Sequence, residues 1–195
     1  MEFRVCYLFL FDGFADWEPA HITSALAKYT NFKIKTFSTN GQIVSSMGNL
    51  KIMPDSDLAT VMREKFDLLI LSGGDLWEQN GNTEIVYLIN DCFQKGITIA
   101  AICAATLILG KSGILNHIDH TSNGLQFLRK NIPNYDGDER YINRPAVTDQ
   151  NVITANGAAM LEFSFNVFEH FKVFSEIDLQ TWFDLYKSGG INLSF

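Results

Sequence analysis

The chain is predicted to fold as an α/β protein, a doubly wound and mostly parallel sheet sandwiched by helices. Strand-like apolar runs alternate with helix-like segments along the 195 residues, as they do in α/β proteins. One run, FDLLILS at 66–72, is apolar almost throughout, which is typical of a central parallel strand covered on both faces. Hydrophobic residues make up 47% of the chain and charged residues 19%, which excludes a disordered protein. We expect a single domain over residues 1–195.

The first half of the chain begins with a strand, a loop and a helix. Residues 2–11 form an apolar run that Asp12-Gly13 ends. Residues 16–30 have helical spacing, and Pro19 lies in the first turn, where proline is tolerated. The next predicted elements are a strand at 32–38, a hairpin of 42–46 with 50–53, a short helix capped by Asp55 or Ser56 and running through Glu64, the 66–72 strand, and a helix at 83–95 that ends at Gly96.

The second half continues the alternation. A buried strand ends at Ile102, and a helix begins after Cys103. The later predicted elements are a short strand at 118–123, a helix at 124–130, a polar loop at 131–144, paired strands at 145–148 and 151–155, and helices at 158–172 and 176–188.

Charge and cysteine content exclude several classes of function. The net charge of −7 argues against a nucleic-acid or anionic-membrane surface. The cysteines, Cys6, Cys92 and Cys103, have no metal-ligand or disulfide spacing, so we expect no metal and no cofactor, and a reducing cytoplasm as the location. The N-terminal apolar run is too short to span a bilayer.

Cys103 is the first candidate for chemistry. The stretch ITIAAICAATLILG, residues 97–110, places this cysteine at a strand-to-helix corner among alanines. That arrangement is the logic of a nucleophile elbow, and a helix N-terminus there lowers the pKa of a thiol. The alternative is that Cys103 is a small residue of the core.

Two other strand ends support the functional interpretation. Glu18 follows the first strand, and Gly73-Gly74 follow the 66–72 strand. In open parallel sheets ligands bind beyond the carboxyl ends of the strands, so we expect these residues to meet Cys103. The glycine N–H groups are predicted to face an oxyanion. Taken singly, Glu18 is an ordinary helix-start acid and the glycines are an ordinary turn.

Four segments resemble the ThiJ/PfpI family of class I glutamine amidotransferase-like proteins. They are DGFADWE at 12–18, LILSGGD at 69–75, AAICAA at 100–105 and ITANGAAMLEFSFNVFEHF at 153–171. The resemblance implies a flavodoxin-like fold, with Cys103 as the nucleophile, Glu18 as the family's buried glutamate and Gly73-Gly74 in an oxyanion-type pocket with Ala104. It also implies a homodimer.

The chain departs from this family where a histidine is usual. Asn123 lies about twenty residues after the cysteine, and Ala104 directly follows it, so neither common Cys-His arrangement is present. His21 is the best substitute, because it lies three residues after Glu18 and could share a helical face with it. Otherwise Glu18, with a raised pKa, is the proton partner of Cys103. Asn123 is expected to orient a substrate or water, and Trp77 to wall the pocket.

Three functions remain open from the sequence. The first is a cysteine-dependent hydrolase of the peptidase or amidase type, and the second is a glyoxalase or deglycase that acts on reactive aldehydes or glycated groups. The third is a non-catalytic redox or stress sensor whose thiol is oxidised. The expected partner is a small-molecule or peptide substrate. A transcription regulator is disfavoured because no helix-turn-helix segment follows the domain.

Overall fold

A computed structural model describes residues 3–190, so both ends of the predicted 1–195 domain lie outside the described residues. The strands are β1 Arg4–Phe9, β2 Phe32–Ser38, β3 Val44–Ser45, β4 Lys51–Ile52, β5 Ser56–Asp57, β6 Leu68–Leu71, β7 Thr98–Ile102, β8 Ala146–Asp149 and β9 Val152–Ala155. The helices are α1 Ala20–Tyr29, α2 Leu58–Val61, α3 Val86–Lys95, α4 Thr106–Lys111, α5 Leu125–Asn131, α6 Met160–Phe171 and α7 Glu176–Ser188.

Seven strands form one sheet, in the order β5-β2-β1-β6-β7-β9-β8. All neighbours are parallel except β8 and β9. Strand β6 lies at the centre, where Leu68 pairs with Cys6 on one side and with Thr98 on the other. Every residue of β6 is buried, because helices cover a parallel sheet on both faces. The predicted mostly parallel sheet is confirmed.

The helices form the two outer layers. The β1–α1–β2 and β6–α3–β7 connections step along the sheet in opposite directions, and right-handed crossovers therefore place α1 and α3 on opposite faces. Helix α6 packs against α1 and α7, and α3 packs against α4. The predicted sandwich is confirmed.

Local signals set most of the element ends. The predicted hairpin is confirmed as β3 paired antiparallel with β4, and α3 ends at Gly96, whose φ of +71° suits glycine. The prediction that Asp55 or Ser56 caps α2 is wrong. Asp57 is the cap, since its side chain accepts a hydrogen bond from the Thr60 N–H at 2.8 Å. Asp55 instead accepts from the Thr36 N–H.

The predicted strand at 118–123 is also wrong. An isolated parallel bridge between His120 and Tyr141 is the β pairing found there. Side chains and loop carbonyls take the place of a neighbouring strand: the Thr121 N–H donates to Thr154 Oγ1 at 2.9 Å, and Thr121 Oγ1 donates to the Arg144 carbonyl. This segment therefore runs as an extended loop beside the carboxyl ends of β7 and β9.

Strand order reverses at β1, which lies between β2 and β6. The crevice beyond the carboxyl ends of the strands at such a switch point is the usual ligand site of open α/β sheets. Glu18, Gly73 and Cys103 follow β1, β6 and β7 at this end. Within residues 3–190, no helix has the length and apolar character required to cross a membrane.

Candidate functional site

Cys103 occupies a strained corner of the backbone. It follows Ile102, the last residue of β7, and begins a 3₁₀ turn at 103–105 that continues into α4. Its φ is +60°, a left-handed conformation that costs a residue with a Cβ atom about 1–2 kcal/mol. The corner is held by Thr106, whose Oγ1 donates to the Cys103 carbonyl at 2.7 Å and lies 2.6 Å from Ser122 Oγ. The geometry is that of a nucleophile elbow.

Glu18 lies in the loop between β1 and α1, and its side chain is buried, with 1% exposure. The Gly73 N–H donates to Glu18 Oε2 at 2.5 Å, and the Glu18 carboxyl lies beside Cys103, because a Cβ atom at Gly73 would touch both side chains. The loop itself is tied down on both sides. The Ala15 N–H donates to the Gly73 carbonyl at 2.9 Å, and Ser46 Oγ of the hairpin loop donates to Asp16 Oδ2 at 2.9 Å.

Two glycines allow the acid and the thiol to approach. A Cβ atom at Gly73 would lie 2.8 Å from Cys103 Cβ and 3.0 Å from each Glu18 carboxyl oxygen. A Cβ atom at Gly157 would lie 2.7 Å from Cys103 Sγ. Both distances are shorter than a normal contact, so any larger residue at either position would displace the reacting groups.

Asn123 bonds to the other side of the sulfur. Its Nδ2 donates to Cys103 Sγ at 3.3 Å, and its Oδ1 accepts from the Gly157 N–H at 2.8 Å. Because the Gly157 N–H is a donor, it requires the amide oxygen and leaves Nδ2 facing the sulfur. Asn123 therefore stabilises a thiolate but cannot remove a proton from the thiol.

No histidine reaches Cys103 within the described residues 3–190. The prediction that His21 shares a face with Glu18 is wrong, because Glu18 precedes α1 and the His21 ring packs on Trp182 and Tyr186. His120 is fully buried, with its ring nitrogens 2.8 Å from the Ile118 carbonyl and 2.6 Å from the Tyr135 hydroxyl.

Burial sets the protonation state of the pair. It raises the pKa of Glu18 from its usual 4.5 to about 7, against the hydrogen bond from Gly73 and the neighbouring Cys103 thiol, which lower that pKa. Burial likewise raises the pKa of the Cys103 thiol; the Asn123 amide lowers that pKa and the Glu18 carboxylate raises it further. The predicted low thiol pKa is therefore wrong. Helix α4 has only six residues, and the N–H groups near the sulfur do not offset burial beside an acid.

Two other predicted pocket features require correction. The Gly73 N–H donates its hydrogen bond to Glu18, so it does not face an oxyanion. At Gly74 a Cβ atom would lie 2.7 Å from the Gly13 carbonyl oxygen, so this glycine packs against the loop that follows β1. The Ala104 backbone lowers the pKa of the Cys103 thiol, although burial outweighs this effect. Trp77 does not wall the pocket. Its ring is buried against Phe9 and Phe11, and its Nε1 donates to the Ser72 carbonyl at 2.8 Å.

The pocket above the sulfur has a volume of about 510 Å³. It is lined by side chains and backbone from five loops: Trp17, Glu18, Cys103, Ser122, Asn123, Gly124, Tyr141, Asn143, Asn156, Gly157 and Ala158. A second pocket of about 580 Å³ lies at the opposite end of the strands, near Arg4, Thr98 and His170, and has no cysteine. Within residues 3–190 no group of side chains is arranged to hold a metal ion.

Sequence reasoning missed several residues of this lining. Trp17 lies beside Glu18 in DGFADWE, and Asn156-Gly157 lie in ITANGAAM, so both segments carried a motif signal. Tyr141 and Asn143 belong to the aperiodic 131–144 loop, which offered no signal.

Comparison with known proteins identifies related chains. The DJ-1/PfpI family profile matches residues 4–170. "Uncharacterized protease YoaZ" of Bacillus subtilis is 36% identical over 96% of this chain and 93% of its own. "Uncharacterized protease YdeA" of the same organism is 38% identical over 80% of this chain and 77% of its own. The crystal structure of the ThiJ/PfpI family protein from Bacillus anthracis, 32% identical, has a TM-score of 0.88 and covers 97% of this chain and 92% of that chain.

Proposed function

From the fact that this chain belongs to the DJ-1/PfpI family, we propose that it is a cysteine-dependent enzyme acting on carbonyl compounds. Cys103 is the nucleophile and Glu18 carries the proton. The observation that carries this proposal is the position of Cys103, which has the Glu18 carboxyl on one side and a hydrogen bond from Asn123 Nδ2 on the other. Of these two, only Glu18 titrates, so a single acid has to take and return the proton.

The reaction that such a pair serves best is addition to a reactive aldehyde. With a pKa of about 7, Glu18 exists in both forms near neutral pH. The carboxylate accepts the thiol proton as sulfur attacks the aldehyde carbon, and the resulting acid donates a proton to the developing alkoxide. With methylglyoxal, Glu18 next moves the proton on the first carbon to the second, while the hydroxyl proton of the first carbon passes to the oxygen of the second, which gives a lactoyl thioester. Water then cleaves the thioester to lactate and restores the thiol.

The second candidate is hydrolysis of an acyl or peptide bond. The printed names of two relatives, "Uncharacterized protease YoaZ" and "Uncharacterized protease YdeA", favour it. Here the tetrahedral intermediate would lose an amine, which needs a proton from Glu18, and water would cleave the acyl-enzyme. This route lacks the separate base that most cysteine peptidases use, which is why we place it second.

Product analysis distinguishes these reactions. We expect lactate from methylglyoxal, and we expect both Cys103→Ala and Glu18→Gln to reduce its formation at least ~100-fold, the usual contribution of general acid-base catalysis. Glu78→Gln is the matched control, because Glu78 is an exposed acid outside the pocket. Peptide cleavage that Cys103→Ala abolishes, without lactate formation, would favour the hydrolase. Lactate formation that Glu18→Gln leaves unchanged would contradict the proposed role of Glu18.

The location and the oligomeric state of the protein are proposed from other observations. Cys6, Cys92 and Cys103 are free thiols, which fits the reducing cytoplasm. Family membership supports a homodimer, and sedimentation equilibrium tests it: a mass near twice 22.0 kDa is expected, and the monomer mass would contradict it.

A further inference from the structure

Polar groups without protein partners surround the opening of the Cys103 pocket. The Trp17 indole N–H, the Tyr141 hydroxyl and the Asn143 amide make no hydrogen bond within residues 3–190, and all three residues line the pocket. Asn156 lines it as well, and its Oδ1 already accepts from the Ala158 N–H at 3.0 Å, so its Nδ2 is the group that faces outward. Such groups bind neutral oxygen atoms such as hydroxyl and carbonyl oxygens.

The same lining has no positive charge. Among the described residues that line the pocket there is no lysine, arginine or histidine. Two arginines flank the 141–143 segment in sequence, but Arg140 is paired with Asp119 at 3.3 Å, and neither Arg140 nor Arg144 lines the pocket. Proteins usually bind carboxylates through arginine or lysine, so this pocket has no group of the kind that would hold one.

The charge that is present repels anions. Glu18 is the acid among the described residues that line the pocket, and the whole chain carries a net charge of −7. An anionic substrate would have to leave water and place its carboxylate beside Glu18 without a cation to compensate. A neutral substrate of the same shape does not meet that cost.

We propose that the Cys103 pocket selects uncharged carbonyl compounds over their carboxylate-bearing analogues, with Trp17, Tyr141, Asn143 and Asn156 binding the neutral oxygens. The proposal deepens the proposed function and rests on it for the identity of the reaction. Charge selection at the sulfur can nevertheless be measured without any turnover, which keeps the two proposals separable.

Two alkylating reagents of nearly equal shape provide the test. Iodoacetamide is neutral and iodoacetate is anionic, and each forms a thioether with Cys103 as iodide leaves and the thiol proton passes to solvent. The rates are measured on the peptide that contains Cys103, by mass spectrometry, and are divided by the rates for N-acetylcysteine. We expect the normalised rate ratio of iodoacetamide to iodoacetate to exceed about tenfold, which corresponds to 1.4 kcal/mol.

A substitution that adds a positive charge to the pocket then tests whether the preference for the neutral reagent arises there. Asn143→Lys places a cation at the pocket and should lower the ratio at least ~fivefold. Asn134→Lys makes the same change of charge on an exposed residue outside this pocket and should leave the ratio within about twofold, since surface charges are screened over a Debye length. A ratio equal to that of N-acetylcysteine would overturn the proposal, and so would equal effects of the two lysine substitutions.

The outcomes separate this proposal from the proposed function. Charge selection by the alkylating reagents, without turnover of methylglyoxal or peptides, would refute the enzyme and leave the pocket selectivity standing. Where turnover is found, kcat/KM for the neutral methyl ester of 4,5-dioxopentanoate should exceed that for the anion 4,5-dioxopentanoate, a 2-oxoaldehyde of the same chain, and Asn143→Lys should narrow the difference. Turnover of both aldehydes with equal kcat/KM would refute the charge selection alone.

Discussion

The strained backbone at Cys103 makes a measurable prediction about stability. Replacement of alanine by glycine normally destabilises a folded protein, because glycine loses more conformational freedom on folding and because a buried methyl group is lost. At a residue held at a φ of +60°, the same replacement also relieves about 1–2 kcal/mol of strain. The two effects therefore nearly cancel at position 103 and do not cancel at an unstrained neighbour.

The comparison is best made from Cys103→Ala as the common parent. From this parent, Ala→Gly at position 103 should change the free energy of unfolding by less than ~0.5 kcal/mol. Ala104→Gly is the matched control, because Ala104 is buried in the same turn and has no positive φ. It should cost about 1–2 kcal/mol.

Urea unfolding at 25 °C, analysed with one common m-value, measures the change in the free energy of unfolding that each glycine substitution causes. A thermal scan should show the control melting about 2–8 °C lower than the glycine variant at 103, given ~2–4 °C per kcal/mol for a chain of this size. Equal costs at the two positions would refute the strain, and with it the argument that the fold forces this thiol into an elbow.

Three further predictions concern the groups around the sulfur and the loop that carries Glu18. Gly157→Ala would place a Cβ atom 2.7 Å from Cys103 Sγ, so alkylation of Cys103 by iodoacetamide should slow about tenfold or more, and an unchanged rate would contradict the close approach. Burial raises the pKa of Glu18 in the folded state from 4.5 to about 7, so the unfolded state releases this proton at lower pH than the folded state does. The free energy of unfolding should therefore fall by about 3 kcal/mol as pH rises from about 4.5 to about 7. Glu18→Gln should remove that slope, which urea titrations between pH 4 and 8 would check, and a slope that persists would assign it to other groups. Ser46→Ala removes the hydrogen bond to Asp16 and should cost about 1–2 kcal/mol in urea unfolding, whereas no cost would show that the hairpin does not secure the Glu18 loop.

The fold could be predicted because its signals are local. The all-apolar run at 66–72 and the glycine at position 96 depend on residues close in sequence, and β6 and the end of α3 follow from them. The α2 cap was misplaced by one or two residues, because several acids and hydroxyls lie together there and only the chain path selects Asp57.

The two tryptophans show what local patterns leave open. Trp17 lies within the DGFADWE motif and Trp77 just after the LILSGGD motif, and only Trp77 is predicted to wall the pocket. In the fold Trp77 is buried, with 1% exposure, while Trp17 lines the pocket and is 47% exposed. The difference arises because Phe9 and Phe11 of the adjacent strand and loop provide Trp77 with an aromatic partner and a buried environment.

The sequence by itself determined most of the order of strands and helices, and the presence of an acid, a glycine pair and a thiol that each follow a strand. Those features depend on spacing and on side-chain volume within a few residues. Only the tertiary structure decided that Asn123 and Gly157 meet Cys103, and that the thiol and Glu18 both hold their protons more tightly than usual. Contacts across 20 or 34 residues depend on which strand ends are neighbours, and a pKa depends on how completely the surrounding chain removes water from the charged group.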